Sequence, residues 1–176
     1  MSGHNKWSKI KHKKAATDTQ KSLLFSKYAR LISVESKKAG GNVNSPSLKA
    51  AIEKAKKDNM PQDNIARAVQ KGSGSNGPTM EEVLYEVYGP GGSAIIIEGL
   101  TDNKNRTAAE IKHLLGKLGL ELANPGAALW AFEKREVGWK AKTTVTLEET
   151  NREKLSNIIE SIENHDDIQN IYTNAV

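Results

Sequence analysis

The residues best suited to binding chemistry lie in a short basic segment near the start of the chain. Residues 6–14 contain five lysines, and no acidic residue occurs before Asp18. Lysine side chains neutralise phosphates and release their counterions, and a tryptophan face stacks on an unpaired base. The segment therefore predicts contact with nucleic acid, in a pattern that suits RNA or single strands. The candidate residues are His4, Lys6, Trp7, Lys9, Lys11, His12, Lys13 and Lys14.

A second polar group occupies residues 101–107, with the sequence Thr-Asp-Asn-Lys-Asn-Arg-Thr. It lies between a predicted strand and a predicted helix. A helix N-terminus attracts anions, and Lys104 and Arg106 would strengthen that attraction toward phosphate. An ordinary capped helix start followed by a solvated loop explains the same residues. The two interpretations have equal weight at this level.

Signatures of catalysis are missing from the sequence. It contains no G-x-S-x-G, H-E-x-x-H or Walker A pattern, and its four histidines are scattered without a ligand-type partner at metal spacing. The absence of cysteine excludes disulfides, thiolate metal sites and a cysteine nucleophile. A G-x-G-x-x-G match at residues 72–77 follows a predicted helix and runs into Pro78, whereas a dinucleotide site follows a strand and opens a helix. We therefore expect no enzymatic activity, no metal and no cofactor.

The charge of the chain is divided unevenly along its 176 residues. Residues 1–72 hold 16 of the 26 Lys and Arg and 5 of the 21 Asp and Glu, a net charge of +11. The remaining residues hold 10 basic and 16 acidic side chains, a net charge of −6. This asymmetry indicates two modules with different partners, of which the basic one suits a polyanion. Lysines within the predicted helices are also explained as a solvated face.

The apolar residues indicate a globular protein without a membrane segment. The longest uninterrupted apolar run spans residues 127–132, far below the roughly 20 residues of a membrane helix. No apolar region of the signal-peptide kind follows the basic start. We expect a cytoplasmic, monomeric protein with no membrane partner.

The first module is predicted to contain three amphipathic helices. Apolar residues recur at spacings of three and four from residue 17 to residue 39, where Gly40 and Gly41 end the pattern. Ser45 and Pro46 begin a second helix that ends at Asn59, and a third runs from residue 60 to Gly72. Three such stripes can be buried only against one another, which predicts a three-helix bundle.

Beyond residue 79 the apolar period changes to alternation. Strands are predicted at 83–88 and 94–97, joined by a Gly/Pro turn, and at 128–132, 139–147 and 168–172. Helices are predicted from residue 103 or 105 to 117 and around residues 155–162. The fold class is α+β, an antiparallel sheet with two helices on one face. The domains are 1–72, basic, helical and nucleic-acid-binding with an extended N-terminal tail, then a 73–79 linker and an 80–176 α+β domain.

Several motifs occur along the chain: Gly3-His4-Asn5-Lys6-Trp7, residues 10–15, Asn59-Met60-Pro61, Asp63-Asn64-Ile65, residues 88–92, residues 101–109 and residues 166–172. Together they resemble the YebC family. The resemblance covers nearly the whole chain, with one departure: typical members carry a further α+β domain inserted after the strand that matches residues 130–134. This chain resembles a short member without that insert.

The resemblance implies control of gene expression without catalysis. Bacterial members are described as DNA-binding transcriptional regulators, mitochondrial relatives are translational activators, and some members act at the ribosome to relieve stalling. The positions carried over are the basic-tail residues together with Asn103, Asn105 and Arg106. The partner expected from the resemblance is therefore DNA or ribosomal RNA, with the ribosome itself a further candidate.

Two classes of function stay open at this level. The first is a nucleic-acid-binding regulator of transcription or translation; the residues of the tail favour structured RNA, whereas the usual family description favours DNA. The second is a protein-interaction adaptor that docks through its acidic α+β domain, with the basic tail acting only as a solubilising arm.

Overall fold

The structure, a computed structural model, describes residues 18–74 and 79–176. Contacts between Cα atoms divide these residues into two compact units, one up to Glu81 and one from Glu82 onward. Most of the predicted 73–79 linker lies outside the described residues. Within those residues, none of the helices combines the length and the apolar character needed to cross a bilayer.

The first unit contains three helices whose apolar stripes form one core. Tyr28 and Ile32 pack with Leu48 and Ile65, and all four side chains are buried. Buried alanines on the second and third helices allow close approach of the backbones. The predicted three-helix bundle is confirmed. Its helices are α1 (Asp18–Lys38), α2 (Pro46–Lys57) and α3 (Gln62–Ser73).

Gly72 has a different role from the predicted helix end. The third helix continues to Ser73, and Gly74 is its C-cap. Gly72 lies where α3 crosses α1, and a Cβ atom there would be 2.1 Å from the carbonyl oxygen of Ser33. The crossing therefore requires glycine at this position because the two backbones touch.

The second unit is an α+β structure with two small sheets. One sheet has the strand order β1-β2-β5, in which β2 and β5 are antiparallel; the other pairs β3 with β4, also antiparallel. Single 3-10 turns occupy Pro90–Gly92 and Leu129–Ala131. The elements are β1 (Glu81–Tyr88), β2 (Ala94–Thr101), α4 (Lys104–Lys117), β3 (Phe132–Lys134), β4 (Trp139–Ala141), α5 (Glu149–Glu163) and β5 (Ile168–Thr173).

Strand β2 is the centre of this unit because both of its faces are buried. Ile95 and Ile97 belong to the core that the helices α4 and α5 cover. Ile96 faces the opposite way, into a smaller core that includes Phe132 and Tyr172. A strand buried on both sides explains the continuous apolar run at residues 94–97. The predicted α+β class, with two helices on one face of the sheet, is confirmed.

Two predicted strands are shorter than the alternating pattern indicated. Leu129–Ala131 forms a 3-10 turn, and β4 ends at Ala141. After β4 the chain leaves the hairpin, and Val145 makes an isolated parallel bridge to Ala175. Alternation identifies an extended chain with one buried face, but it does not identify a hydrogen-bonding partner. Two sheets therefore occur where one was predicted.

Candidate functional site

The basic tail lies outside the described residues. This holds for eight of the predicted contacts, whose role in nucleic-acid binding stays a prediction from the sequence. They are His4, Lys6, Trp7, Lys9, Lys11, His12, Lys13 and Lys14.

The described part of the helical unit is itself basic. Residues 18–74 contain 11 Lys and Arg against 5 Asp and Glu, a net charge of +6. A cavity of about 150 Å³ is lined by residues that include Lys37, Lys38, Lys71, Val34 and Met80. That volume is below the roughly 300 Å³ at which pockets for small organic ligands begin.

Asn103 caps helix α4. Its side-chain oxygen accepts a hydrogen bond from the backbone N–H of Arg106 at 3.0 Å. The backbone N–H of Asn103 in turn donates to the hydroxyl oxygen of Thr101 at 2.9 Å. A side-chain cap of this kind satisfies one of the amide groups left open at a helix start. This geometry matches the capped helix start, which is one of the two interpretations that the sequence left open for residues 101–107.

Arg106 is surrounded by carboxylates. Its Nη2 lies 3.0 Å from Asp167 Oδ2, its Nη1 lies 2.9 Å from Asp102 Oδ1, and its Nε lies 3.9 Å from Glu110 Oε2. The hydrogen bonds that the guanidinium donates to Asp167 and then to Asp102 raise its pKa above the ordinary value. The Arg106 side chain is 41% exposed, so it lies at the edge of the cluster with one side facing solvent.

Asp167 is the buried centre of this cluster. Its side chain is 2% exposed, and Oδ2 accepts a hydrogen bond from the hydroxyl of Thr107 at 2.6 Å as well as from Arg106. Thr107 and Thr101 share a further hydrogen bond of 2.7 Å between their hydroxyl oxygens. The network joins the end of β2, the start of α4 and the turn before β5.

Tyr85 lies against the same cluster. Among the described residues its hydroxyl is buried without a hydrogen-bond partner. Burial, and then the charge of Asp167, raise the pKa of this phenol above its ordinary value of 10. The phenol is therefore neutral at physiological pH.

Glu110, His165 and Asp167 come close enough together to be tested as a metal site. One ligand atom from each lies within 4.8 Å of the others. His165 Nδ1 accepts the backbone N–H of Asp167 at 3.1 Å, so the hydrogen of the neutral ring belongs on Nε2, 2.9 Å from Glu110 Oε2. A ring with that tautomer donates to Glu110 and offers a metal no lone pair there. The arrangement fits a hydrogen-bonded network better than a metal centre.

The structure separates the three loop candidates by their surroundings. Asn103 and Arg106 bond to neighbouring groups of the protein, whereas Asn105 is exposed on the first turn of α4. Their contact with nucleic acid stays a prediction. Sequence reasoning missed Asp167 as the partner of this loop, because an acidic pair near the end of an element is typical of a turn.

Comparison with protein families identifies both units of the chain. Residues 5–75 match the TACO1/YebC protein N-terminal domain, and residues 80–138 and 132–175 match the TACO1/YebC second and third domain. The chain belongs to the TACO1/YebC family. The resemblance inferred from its motifs is confirmed.

Bacterial relatives of this TACO1/YebC protein are named probable transcriptional regulatory proteins. One from Thermotoga petrophila is 51% identical over 139 residues, which cover 78% of this chain and 55% of the relative. The chain thus matches about half the length of such relatives. One from Pelotomaculum thermopropionicum is 35% identical over 238 residues, covering 99% of this chain and 98% of the relative. A conserved hypothetical protein from Aquifex aeolicus, solved by crystallography, is 30% identical with a TM-score of 0.85, covering 97% of this chain and 96% of that one.

The comparisons also locate the segment that this chain lacks. The two matches to the second and third domain overlap at residues 132–138, so no residues remain between them for a further domain. An alignment of 238 positions on a chain of 176 residues leaves more than 60 positions that only the Pelotomaculum relative occupies. The overlap falls on the β3–β4 hairpin, whose backbone bond from Arg135 N to Gly138 O closes the turn. The predicted short member without the inserted domain is confirmed.

Proposed function

We propose that this TACO1/YebC protein is a non-enzymatic regulator of gene expression that binds nucleic acid through its N-terminal region. The observation that carries the proposal is the net charge of +11 on residues 1–72 against −6 on the rest. The names of the relatives, probable transcriptional regulatory proteins, support regulation of transcription. The target is DNA, or ribosomal RNA in a translational role, and the division into domains 1–72 and 80–176 is part of the proposal.

Phosphate neutralisation supplies most of the binding free energy in this proposal. The tail lysines release counterions from the nucleic acid, and Trp7 stacks on a base. Lys37, Lys38 and Lys71 extend the basic surface onto the helical unit at the cavity between α1 and α3. In the 101–107 loop we propose contact through the exposed Asn105, with Asn103 and Arg106 contributing mainly by holding the loop in place.

The proposal is tested by the salt dependence of binding. Fluorescence anisotropy with a labelled ribosomal RNA fragment and a labelled DNA duplex of equal length is measured for the full chain at several salt concentrations. A tail variant with Lys11, Lys13 and Lys14 changed to Gln should flatten the slope of log K against log salt by about 2 to 3, at roughly 0.7–0.9 per phosphate. The better-bound probe identifies RNA or DNA as the target.

The matched control removes three lysines from the acidic unit. Lys112, Lys117 and Lys154 are exposed, and their replacement by Gln lowers the net charge by the same amount. This control should leave the slope within about 0.5 of the unmodified protein. Equal slopes for the tail variant and the unmodified protein would contradict phosphate binding by the tail.

A protein-interaction adaptor is the second candidate, favoured by the acidic character of residues 73–176. It predicts that neither probe binds the full chain even at low salt. If the tail variant binds nucleic acid more weakly and the control variant does not, the tail is more than a solubilising arm.

A further inference from the structure

Two aromatic side chains form an exposed pair on the α+β unit. Trp130 is 55% exposed and Tyr88 is 43% exposed. The indole N–H of Trp130 donates to the hydroxyl oxygen of Tyr88 at 3.1 Å, and the Tyr88 hydroxyl donates to the carbonyl oxygen of Ala127. The polar edge of the indole is thus occupied inside the protein, while much of the ring remains open to solvent.

A buried carboxylate holds the segment that carries Trp130. Glu86 is buried, and its two oxygens accept the backbone N–H groups of Gly126 at 2.6 Å, Ala128 at 2.7 Å and Leu129 at 2.9 Å. Hydrogen bonds to a charged acceptor are about twice as strong as neutral ones. The aromatic pair is therefore held in place before any partner arrives, which lowers the entropy cost of binding.

The segment around Trp130 is basic, although the unit as a whole is acidic. Residues 129–142 contain four Lys and Arg and two Glu, a net charge of +2. The rest of residues 82–176 contains 6 basic and 13 acidic side chains, a net charge of −7. Lys140 and Lys142 are exposed, and the backbone N–H of Lys142 bonds to the carbonyl oxygen of Ala131 at 2.8 Å, beside Trp130.

We propose that Trp130 and the basic β3–β4 hairpin form a second contact surface for single-stranded nucleic acid. A base stacks on the open face of Trp130 beside Tyr88, and adjacent phosphates contact Lys140 and Lys142. Aromatic faces beside cationic side chains are the combination by which proteins bind single strands without reading sequence. The local positive charge in an acidic unit is complementary to phosphate and favours a nucleic acid over a basic protein partner. This inference rests on the proposed function and adds a surface away from the tail.

The test measures binding of the full chain to labelled 12-nucleotide oligo(U) and oligo(dT). Trp130→Ala should weaken binding by about 5-fold to 150-fold, the range for loss of one base–aromatic stack, and Trp130→Phe should restore most of it. Replacing Lys140 and Lys142 by Gln should flatten the salt slope by about 1.4, at roughly 0.7 per phosphate on a single strand. Tighter binding of oligo(U) indicates contact with the 2′-hydroxyl, and equal binding indicates recognition common to both strands.

Matched controls separate this surface from general effects. Val176→Ala changes an exposed apolar residue outside the hairpin, which is 43% exposed, and should leave binding unchanged. Replacing Lys112 and Lys117 by Gln removes the same charge from α4 and should leave the slope unchanged. Far-ultraviolet circular dichroism checks that each variant is folded. If Trp130→Ala does not fold, the Lys140/Lys142 variant still tests the surface through its salt slope.

The outcomes distinguish this inference from the proposed function. Oligonucleotide binding that the tail variant weakens, but that the Trp130 and Lys140/Lys142 variants leave unchanged, overturns the second surface and leaves the tail proposal standing. A protein-docking role for the aromatic pair would give this same result. If the unmodified chain binds neither oligonucleotide at low salt, and also binds no ribosomal RNA or duplex DNA probe, then both the second surface and the proposed function are overturned.

Discussion

Replacing Asp167 by Ala should destabilise the α+β unit selectively. The change removes the carboxylate that accepts the buried Thr107 hydroxyl at 2.6 Å and the Arg106 guanidinium at 3.0 Å. A hydrogen bond to a charged group contributes about 1.5–3 kcal/mol. The pair with Arg106 adds little because the Arg106 side chain is 41% exposed and solvent screens the pair. We expect a loss of about 2–4 kcal/mol in the free energy of unfolding.

Amide hydrogen exchange followed by NMR measures this loss in the right unit. Amides of β2, Ala94–Thr101, report the opening free energy of the α+β core, and amides of α2 report the helical unit separately. The β2 amides should lose the full 2–4 kcal/mol, while the α2 amides should be unchanged. Asp102→Ala is the control, because it removes the other carboxylate on Arg106, is exposed, and should cost at most about 1 kcal/mol.

A double-mutant cycle identifies the Thr107 hydrogen bond as the main contribution. Thr107→Val keeps the shape of the buried side chain and removes its hydroxyl. If Thr107 and Asp167 stabilise the unit through their mutual bond, the double variant should lose less than the sum of the single losses by about 1 kcal/mol or more. Additive losses, or an Asp167→Ala effect no larger than that of Asp102→Ala, would refute the reasoning.

Two further changes test single positions in each unit. Gly138→Ala should cost more stability than Gly126→Ala in urea unfolding. Both glycines have a positive φ, but only at Gly138 would a Cβ atom meet another group, because it would lie 2.5 Å from the Tyr172 hydroxyl oxygen. Equal losses of stability would contradict this prediction. Burial and then Asp58 raise the pKa of Tyr28 above 10. The contribution of the protonated phenol to the stability of the fold is therefore complete below about pH 10 and is lost as the pH rises above that. The stability difference between the unmodified chain and Tyr28→Phe should therefore shrink from pH 8 to pH 11, whereas a constant difference would argue against a buried phenol.

The helices of the first unit were predictable because helical periodicity is local. Apolar residues three and four apart share a face, so the stripe ending at Ile32 defines the buried side of α1 without knowledge of its partners. Gly40 and Pro46 limit the helices for equally local reasons. The predicted bounds of α1 and α2 agree with the structure to within one or two residues. The close approach of Gly72 to Ser33 was not predictable, because it depends on how α1 and α3 cross.

The sequence motifs also identified the family, because they are specific in combination. Their order along the chain predicted the missing insert as well. The charge asymmetry likewise needs no coordinates, since it is a count. The partners of the strands were harder to predict. Alternation at residues 139–147 marked one buried face, but only the fold pairs residues 139–141 with β3 and Val145 with Ala175.

Only the tertiary structure decided how the 101–107 loop is held. Asp167 lies 60 positions beyond Thr107, and nothing in the intervening sequence indicates that the two meet. Antiparallel pairing of β2 with β5 places Gly99 opposite Ile168 and joins Leu100 N to Asp167 O at 2.8 Å. That register brings the carboxylate of Asp167 to the start of α4. A sequence shows which residues can form hydrogen bonds, whereas long-range strand pairing selects which of them do.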